Sequence, residues 1–168
     1  MKILIVDNHQ LFCDGLKTLL EHEPNTKVIG EANDGRAAVR TAQRLSPDLI
    51  IMDVMMPELN GIEATRQIKG ILPKVKILAL SMHADRHYVG SMLTAGASGY
   101  VLKDSAFAEL AHAIKMVSQG KRYLSPSIMD MVVDDYVQCL SPGAATQSAP
   151  LSELSSRERE VLQLIVEG

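Results

Sequence analysis

The stretch Leu49-Ile50-Ile51-Met52, followed directly by Asp53, determines the class of fold. Four consecutive aliphatic residues predict a strand that is buried on both faces, as the strands of a parallel sheet are. Comparable apolar runs occupy residues 3–6, 77–80 and 100–102. Stretches with helical spacing of apolar residues separate these runs, so the sequence predicts parallel strands joined by helical crossovers.

The alternation of strands and helices extends over residues 1–120. A further strand is predicted at residues 28–32, and helices are predicted after each strand, the last over residues 106–119. Five such units predict an α/β fold with a doubly wound, five-stranded parallel sheet and helices on both of its faces.

The alternation ends after Gly120, which marks a boundary in the chain. Ser125-Pro126 predicts an N-cap and a sixth helix over residues 127–140, and residues 141–150 have the uncharged composition of a flexible linker. Ser155 and Glu158 form a capping box that opens a short amphipathic helix. One such helix cannot bury its apolar face alone, so we expect residues 151–168 to be the start of a truncated domain. Residues 1–120 are then one domain, and residues 121–150 are a linker helix and flexible linker.

Composition limits the classes of function. The net charge of −3 provides no general attraction to nucleic acid, and neither a long apolar run nor a secretory signal is present. We therefore expect a cytoplasmic protein without a membrane segment. Cys13 and Cys139 are far apart and lack the spacing of a metal or redox motif, so we interpret both as ordinary thiols.

Four polar residues follow the apolar runs. Asp7, Asp53, Ser81 and Lys103 each end a predicted strand or come directly after it. Each alone has an ordinary interpretation as a turn, cap or solvated residue. Ligands of open parallel sheets bind beyond the carboxyl ends of the strands, so all four side chains are expected to meet in one pocket.

These residue types suit the transfer of a phosphoryl group. The carboxylate of Asp53 is a candidate nucleophile, and a hard cation such as Mg²⁺ would offset the repulsion between two anions. Asp7, Asp53 and the backbone carbonyl of Met55 are its expected oxygen ligands. Lys103 and Ser81 would contact the phosphoryl oxygens.

Several segments carry a family resemblance. Residues 5–9 (IVDNH), 52–57 (MDVMMP) with Asn60-Gly61, Leu80-Ser81 and 95–104 (AGASGYVLKD) resemble the signatures of a two-component receiver domain. Residues 154–162 (LSSREREVL) resemble the opening of a LuxR-type helix-turn-helix. The chain is therefore similar to a NarL/FixJ-type response regulator, which implies the flavodoxin-like strand order and control of a DNA-binding domain that regulates transcription.

The resemblance also implies roles for individual residues. A sensor histidine kinase would phosphorylate Asp53, and Asp7 and Asn8 would hold Mg²⁺. Ser81, Lys103 and Tyr100 would be the switch residues, with Tyr100 turning into space that Ser81 vacates. Without the resemblance, Tyr100 is equally well explained as a strand residue whose hydroxyl lies in water. From their positions alone, two residues beyond Asp53 and Ser81, Met55 and His83 are expected to flank the mouth of the pocket.

Asn8 departs from the family pattern, which commonly has a second acid at this position. An amide oxygen can still bind Mg²⁺, but the lost charge forgoes up to roughly 4 kcal/mol of attraction at about 4 Å and an effective dielectric constant near 20. Weaker metal binding leaves an alternative open, namely an atypical receiver that acts as a phosphorylation-independent interaction or dimerisation module.

The remaining expectations concern partners. A histidine kinase would dock at the pocket edge and the first helix, and the resemblance implies a homodimer. Only the full-length protein would bind DNA, because these 168 residues lack a recognition helix. An enzyme sharing the fold is disfavoured, since no glycine-rich phosphate loop follows the first strand.

Overall fold

The computed structural model describes residues 1–23 and 25–140, with side chains described up to residue 137. All neighbouring strands in its single sheet are parallel, in the order β2-β1-β3-β4-β5-β6. The strands are β1 (Lys2–Val6), β2 (Lys27–Ala32), β3 (Leu49–Asp53), β4 (Lys76–Ser81), β5 (Gly99–Leu102) and β6 (Tyr123–Leu124). The helices are α1 (Gln10–Glu21), α2 (Gly35–Leu45), α3 (Gly61–Ile71), α4 (Arg86–Ala95), α5 (Phe107–Ser118) and α6 (Pro126–Leu140).

The doubly wound α/β fold and its strand order are confirmed, but the prediction of five strands was wrong. A sixth strand, Tyr123–Leu124, pairs with β5 opposite Gly99 and Tyr100. Two residues are too few to show a periodic pattern, so pairing with the edge of β5 is what makes this segment a strand.

The central strands are buried on both faces, as their uninterrupted apolar runs predict. On one face Ile5, Ile51 and Leu80 pack with residues of α1 and α5 such as Leu16 and Ile114. The alternate residues of the same strands, Leu4, Ile50, Met52 and Ala79, are equally buried on the other face. Only a sheet covered on both sides buries successive residues in this way.

Short polar side chains begin three of the crossover helices. Asp34 accepts a hydrogen bond from the backbone N–H of Ala37 at 2.7 Å, and Asn60 accepts one from Glu63 at 2.9 Å. Asp85 caps α4 through the N–H of His87. These caps satisfy backbone donors that a helix leaves unpaired at its start, and they fix where each loop ends.

Ser125 precedes α6, as predicted, but its side chain does not cap that helix. Its hydroxyl accepts a hydrogen bond from the backbone N–H of Leu102 at 3.3 Å and donates one to Glu109 Oε1. Its backbone N–H donates to the carbonyl of Tyr100 at 3.0 Å. Ser125 is 2% exposed, so this one buried residue joins β5, α5 and the segment that leads into α6.

The chain divides into a compact unit over Met1–Asp130 and a second unit over Met131–Gly168. The linker predicted at residues 141–150 and the helix predicted after Ser155 lie outside the described residues. Among the residues that the structure describes, no helix has both the length and the apolar character needed to cross a bilayer.

Candidate functional site

Four strands deliver polar residues to the same edge of the sheet. Asp53 and Ser81 are the last residues of β3 and β4, while Asp7 and Lys103 directly follow β1 and β5. These strands are neighbours in the order β1-β3-β4-β5, so residues far apart in sequence are brought close together. The structure thus places all four predicted residues at the carboxyl edge, where ligands of such sheets bind.

Lys103 lies between the two carboxylates. Its Nζ is 2.6 Å from Asp7 Oδ2 and 2.9 Å from Asp53 Oδ2, and all three side chains are at most 5% exposed. The ring of Phe12 lies beneath the ammonium, with its centroid 5.0 Å from Nζ, a favourable cation–π distance. The buried cluster therefore carries two negative charges and one positive charge.

The charge of Asp53 is only partly compensated. Desolvation is the largest influence and raises the pKa of Asp53, the hydrogen bond from Lys103 lowers it, and the nearby carboxylate of Asp7 raises it further. The net direction is upward. A buried carboxylate whose ionised form is disfavoured has a strong tendency to gain a cationic partner or to lose its charge.

The loop after β3 is held in place by close backbone packing. The backbone N–H of Met55 donates to Asp53 Oδ1 at 3.2 Å, and the N–H of Gly61 donates to the carbonyl of Val54 at 3.0 Å. A Cβ at Gly61 would lie 2.0 Å from the carbonyl oxygen of Asp53, so only glycine permits this approach. These contacts fix Asp53 at the start of the loop. Met55, in the same loop, is 47% exposed.

Ser81 and Tyr100 both contact the backbone of His83. The N–H of His83 donates to Ser81 Oγ at 3.1 Å, and the Tyr100 hydroxyl donates to the carbonyl of His83 at 3.1 Å. Tyr100 is fully buried, so the interpretation that placed its hydroxyl in water does not describe this structure. Burial raises the pKa of Tyr100, and a hydrogen bond with Ser81 offsets part of that increase. The imidazole of His83 is exposed, consistent with a place at the mouth of the pocket.

His9, for which the sequence pattern predicts no role, contacts the carboxylate of Asp7. Its backbone N–H donates to Asp7 Oδ1 at 2.9 Å, and its ring Nδ1 is 3.0 Å from the same oxygen. Asn8, the predicted metal ligand, is exposed. The feature of the sequence that could have identified His9 is its position, because it comes two residues after Asp7 and directly before α1.

A divalent cation suits these side chains. Asp7, His9 and Asp53 offer ligand atoms that all lie within 4.8 Å of one another. Asp7 Oδ2 and Asp53 Oδ2 are buried, and their partner among the described residues is the one ammonium of Lys103. Buried anionic oxygens are what a hard cation requires.

Comparison with known proteins gives a consistent result. The family model of the response regulator receiver domain matches residues 3–115. The transcriptional regulatory protein DegU of Brevibacillus brevis is 39% identical over 178 residues, a match that covers 100% of this chain and 75% of that protein. The transcriptional regulatory protein LiaR of Bacillus subtilis is 39% identical over 168 residues, covering 100% of this chain and 77% of LiaR.

Solved structures share this fold. A two-component response regulator of the LuxR family from Aurantimonas sp. SI85-9A1 has a TM-score of 0.78 and 37% identity, with 81% of this chain and 97% of that chain covered. The isolated REC domain of RcsB from Salmonella enterica serovar Typhimurium, solved with the phosphomimetic BeF3−, has a TM-score of 0.72 and 27% identity. That match covers 77% of this chain and 96% of the other.

Proposed function

The chain belongs to the response regulator receiver family, and we propose that it works as a phosphorylation switch in which Asp53 accepts the phosphoryl group. Its relatives are transcriptional regulators of two-component systems, so the chain is a regulatory protein rather than a conventional enzyme. The observation that carries the proposal is the buried Asp53 carboxylate at the carboxyl edge of the sheet, which shares the Lys103 ammonium with the carboxylate of Asp7.

The chemistry of the proposed step follows from these groups. An oxygen of Asp53 forms a bond to phosphorus while the bond between phosphorus and the donor breaks, and the donor leaves with the bonding electron pair. The side chain of Asp53 is 3% exposed, so it presents little surface to competing solvent. Lys103 is 2.9 Å from Asp53 Oδ2, so its ammonium is close enough to pair with the oxygens of the attached phosphoryl group.

A divalent cation would be held by Asp7, Asp53 and the backbone carbonyl of Met55, with Asn8 as a further candidate. When bound, Mg²⁺ would neutralise phosphoryl oxygens that otherwise repel the Asp53 carboxylate. Asn8 contributes no charge, so we expect the affinity for Mg²⁺ to be lower than with an acid at this position.

The switch would act through the segment around His83. The phosphoryl group on Asp53 would carry about −1.5 to −2 charge in place of the single charge of the carboxylate, together with new acceptor oxygens, which attract the Ser81 hydroxyl and Lys103. Ser81 Oγ now accepts from the N–H of His83, and Tyr100 donates to the carbonyl of the same residue. A hydroxyl that turns toward the phosphoryl group would release one of these two contacts and move the segment before α4.

The expected partners follow from membership in the family. A sensor histidine kinase would supply the phosphoryl group, docking beside the pocket and α1. We also propose a homodimer and control of transcription through DNA binding in the full-length regulator. The chain spans about three quarters of the length of its relatives.

Incubation with acetyl phosphate and MgCl₂, followed by intact-mass spectrometry, tests the proposal. We expect the mass of one added phosphoryl group, which Asp53→Asn abolishes. Asp104→Asn removes an exposed aspartate at the same edge of the sheet and serves as the matched control. Acceptance that persists in Asp53→Asn would disprove the assigned site.

The alternative, an interaction module that works without phosphorylation, rests on Asn8. Asn8→Asp restores the acid and separates the two functions. If the unmodified chain gains no phosphoryl group and Asn8→Asp does, the alternative is correct and Asn8 is its cause. Equal phosphorylation of both proteins would contradict it.

A further inference from the structure

We propose that His9 is a metal ligand of this site and that its imidazole shifts the preference of the site from Mg²⁺ to a first-row transition cation such as Mn²⁺ or Co²⁺. The inference rests on the proposed function, because it concerns the cation of the same pocket. Asp7 and Asp53 alone would give the cation only oxygen ligands, and His9 would add a nitrogen ligand.

The position of the imidazole supports this assignment. His9 Nδ1 is 3.0 Å from Asp7 Oδ1. Two adjacent ligands of an octahedral cation, each about 2.1 Å from the metal, are separated by about 3.0 Å. The nitrogen and the oxygen therefore already have the spacing of two neighbouring ligands.

Lys103 and His9 approach different oxygens of Asp7. The ammonium contacts Oδ2 at 2.6 Å, whereas the imidazole and the backbone N–H of His9 contact Oδ1. The ring can therefore take part in binding a cation without displacing Lys103 from its own oxygen. A second observation that points to a cation is the burial of Asp7 Oδ2 and Asp53 Oδ2, two anionic oxygens that share the single ammonium of Lys103.

The replacement of an acid at position 8 affects the two cations differently. Asn8 lowers the negative charge of the site and with it the attraction for Mg²⁺, which binds oxygen almost exclusively. A neutral imidazole adds little for Mg²⁺ but is a good ligand for first-row transition cations. The contact between Nδ1 and Asp7 Oδ1 is a hydrogen bond in which Nδ1 carries the proton, because a carboxylate only accepts. Binding a cation through Nδ1 would use the other neutral tautomer, with its proton on Nε2.

Only a small rearrangement is needed. The ligand atoms of Asp7, His9 and Asp53 lie within 4.8 Å of one another, and ligands of one cation are about 3–4 Å apart. The side chain of His9 is 64% exposed, so a rotation of its ring toward Asp53 has to break only the contact with Asp7 among the polar contacts described. Because of this exposure, replacing His9 removes little packing.

Titration calorimetry with MgCl₂, MnCl₂ and CoCl₂ on the full chain, together with pulsed EPR of bound Mn²⁺, tests the proposal. We expect tighter binding of Mn²⁺ and Co²⁺ than of Mg²⁺, and a ¹⁴N coupling from an imidazole in the EPR spectrum. His9→Gln should weaken Mn²⁺ binding about tenfold, leave Mg²⁺ binding within about twofold, and remove the coupling. His22→Gln is the matched control, because the ring of His22 is hydrogen-bonded to the backbone carbonyl of Thr18 in α1 and lies on an exposed surface.

The following outcomes would contradict the assignment of His9 as a metal ligand. Absence of the ¹⁴N coupling in the unmodified chain, or equal losses of Mg²⁺ and Mn²⁺ affinity in His9→Gln, would show that the ring only supports Asp7 through a hydrogen bond. Mn²⁺ binding that survives in Asp53→Asn without change would place the cation elsewhere. Phosphorylation of Asp53 is measured separately by mass, so it can succeed even where this proposal fails.

Discussion

Asp53→Asn is expected to stabilise the protein when no metal is present, although it removes a buried ion pair. The pair attraction between Asp53 and Lys103, at 2.9 Å and an effective dielectric constant near 20, is about 6 kcal/mol. Repulsion from Asp7, whose ligand oxygen is within 4.8 Å, opposes it by at least about 3 kcal/mol. Desolvation of a buried carboxylate costs several kcal/mol more.

The raised pKa of Asp53 shows which side of this balance is larger. Burial and repulsion together exceed the attraction, so an uncharged residue of the same shape is favoured. Asparagine keeps one oxygen, which can accept from the N–H of Met55 or from Lys103, and Lys103 remains paired with Asp7 at 2.6 Å in either case. We expect a gain in the free energy of unfolding of about 1–2 kcal/mol at neutral pH.

The effect of pH follows from the same shift. The pKa of Asp53 in the folded protein is above its ordinary value of 3.8, with Asp7, Lys103 and His9 as the charged or titratable neighbours. The cost of its charge is therefore absent below about pH 4 and appears as pH rises through the folded pKa. The advantage of Asp53→Asn should shrink as the pH falls toward 4.

Urea unfolding of both proteins in EDTA, at neutral pH and near pH 4, measures these differences. Added MgCl₂ should stabilise the unmodified chain and have little effect on Asp53→Asn, which reverses their order. If Asp53→Asn is less stable than the unmodified chain in EDTA at neutral pH, the charge balance described above is incorrect.

Three further results are expected. Lys103→Met leaves two buried carboxylates without their cation, so the free energy of unfolding should fall by about 3–5 kcal/mol. Urea unfolding in EDTA measures this loss, and a value below about 1 kcal/mol would contradict the buried pairing. Gly61→Ala should reduce both the melting temperature and phosphoryl acceptance, because the new Cβ would lie 2.0 Å from the carbonyl oxygen of Asp53. Gly70→Ala in the same helix is the control: its Cβ would have no neighbouring atom within 4 Å, so this variant should be neutral or stabilising. In a Cys139→Ser background, Cys13 should react slowly with iodoacetamide, because burial raises its pKa to about 11; rapid labelling in native buffer would argue against the buried position.

The sequence predicted the fold and the gathering of Asp7, Asp53, Ser81 and Lys103 because both depend on simple patterns. Uninterrupted aliphatic runs give strands buried on both faces, and parallel strands necessarily bring their carboxyl ends to one edge. The position of each residue relative to its strand was enough to place it.

Other features depend on contacts that a sequence pattern does not contain. Tyr123–Leu124 becomes a strand only because the edge of β5 is available beside it. The inward position of Tyr100 depends on the backbone of His83, seventeen residues earlier. Likewise, the approach of His9 to Asp7 depends on the turn between β1 and α1, which no periodicity describes.

The buried hydroxyl of Ser125 has a practical consequence for work with shortened versions of this protein. A recombinant fragment that stops after Gly120 would lose β6 and the only side-chain partner that the described residues provide for the backbone N–H of Leu102. Its β5 would become an unprotected edge, open to pairing with a second molecule, and self-association or poor solubility would follow. A fragment that continues through Asp130 retains the covering segment and is the better choice for expression.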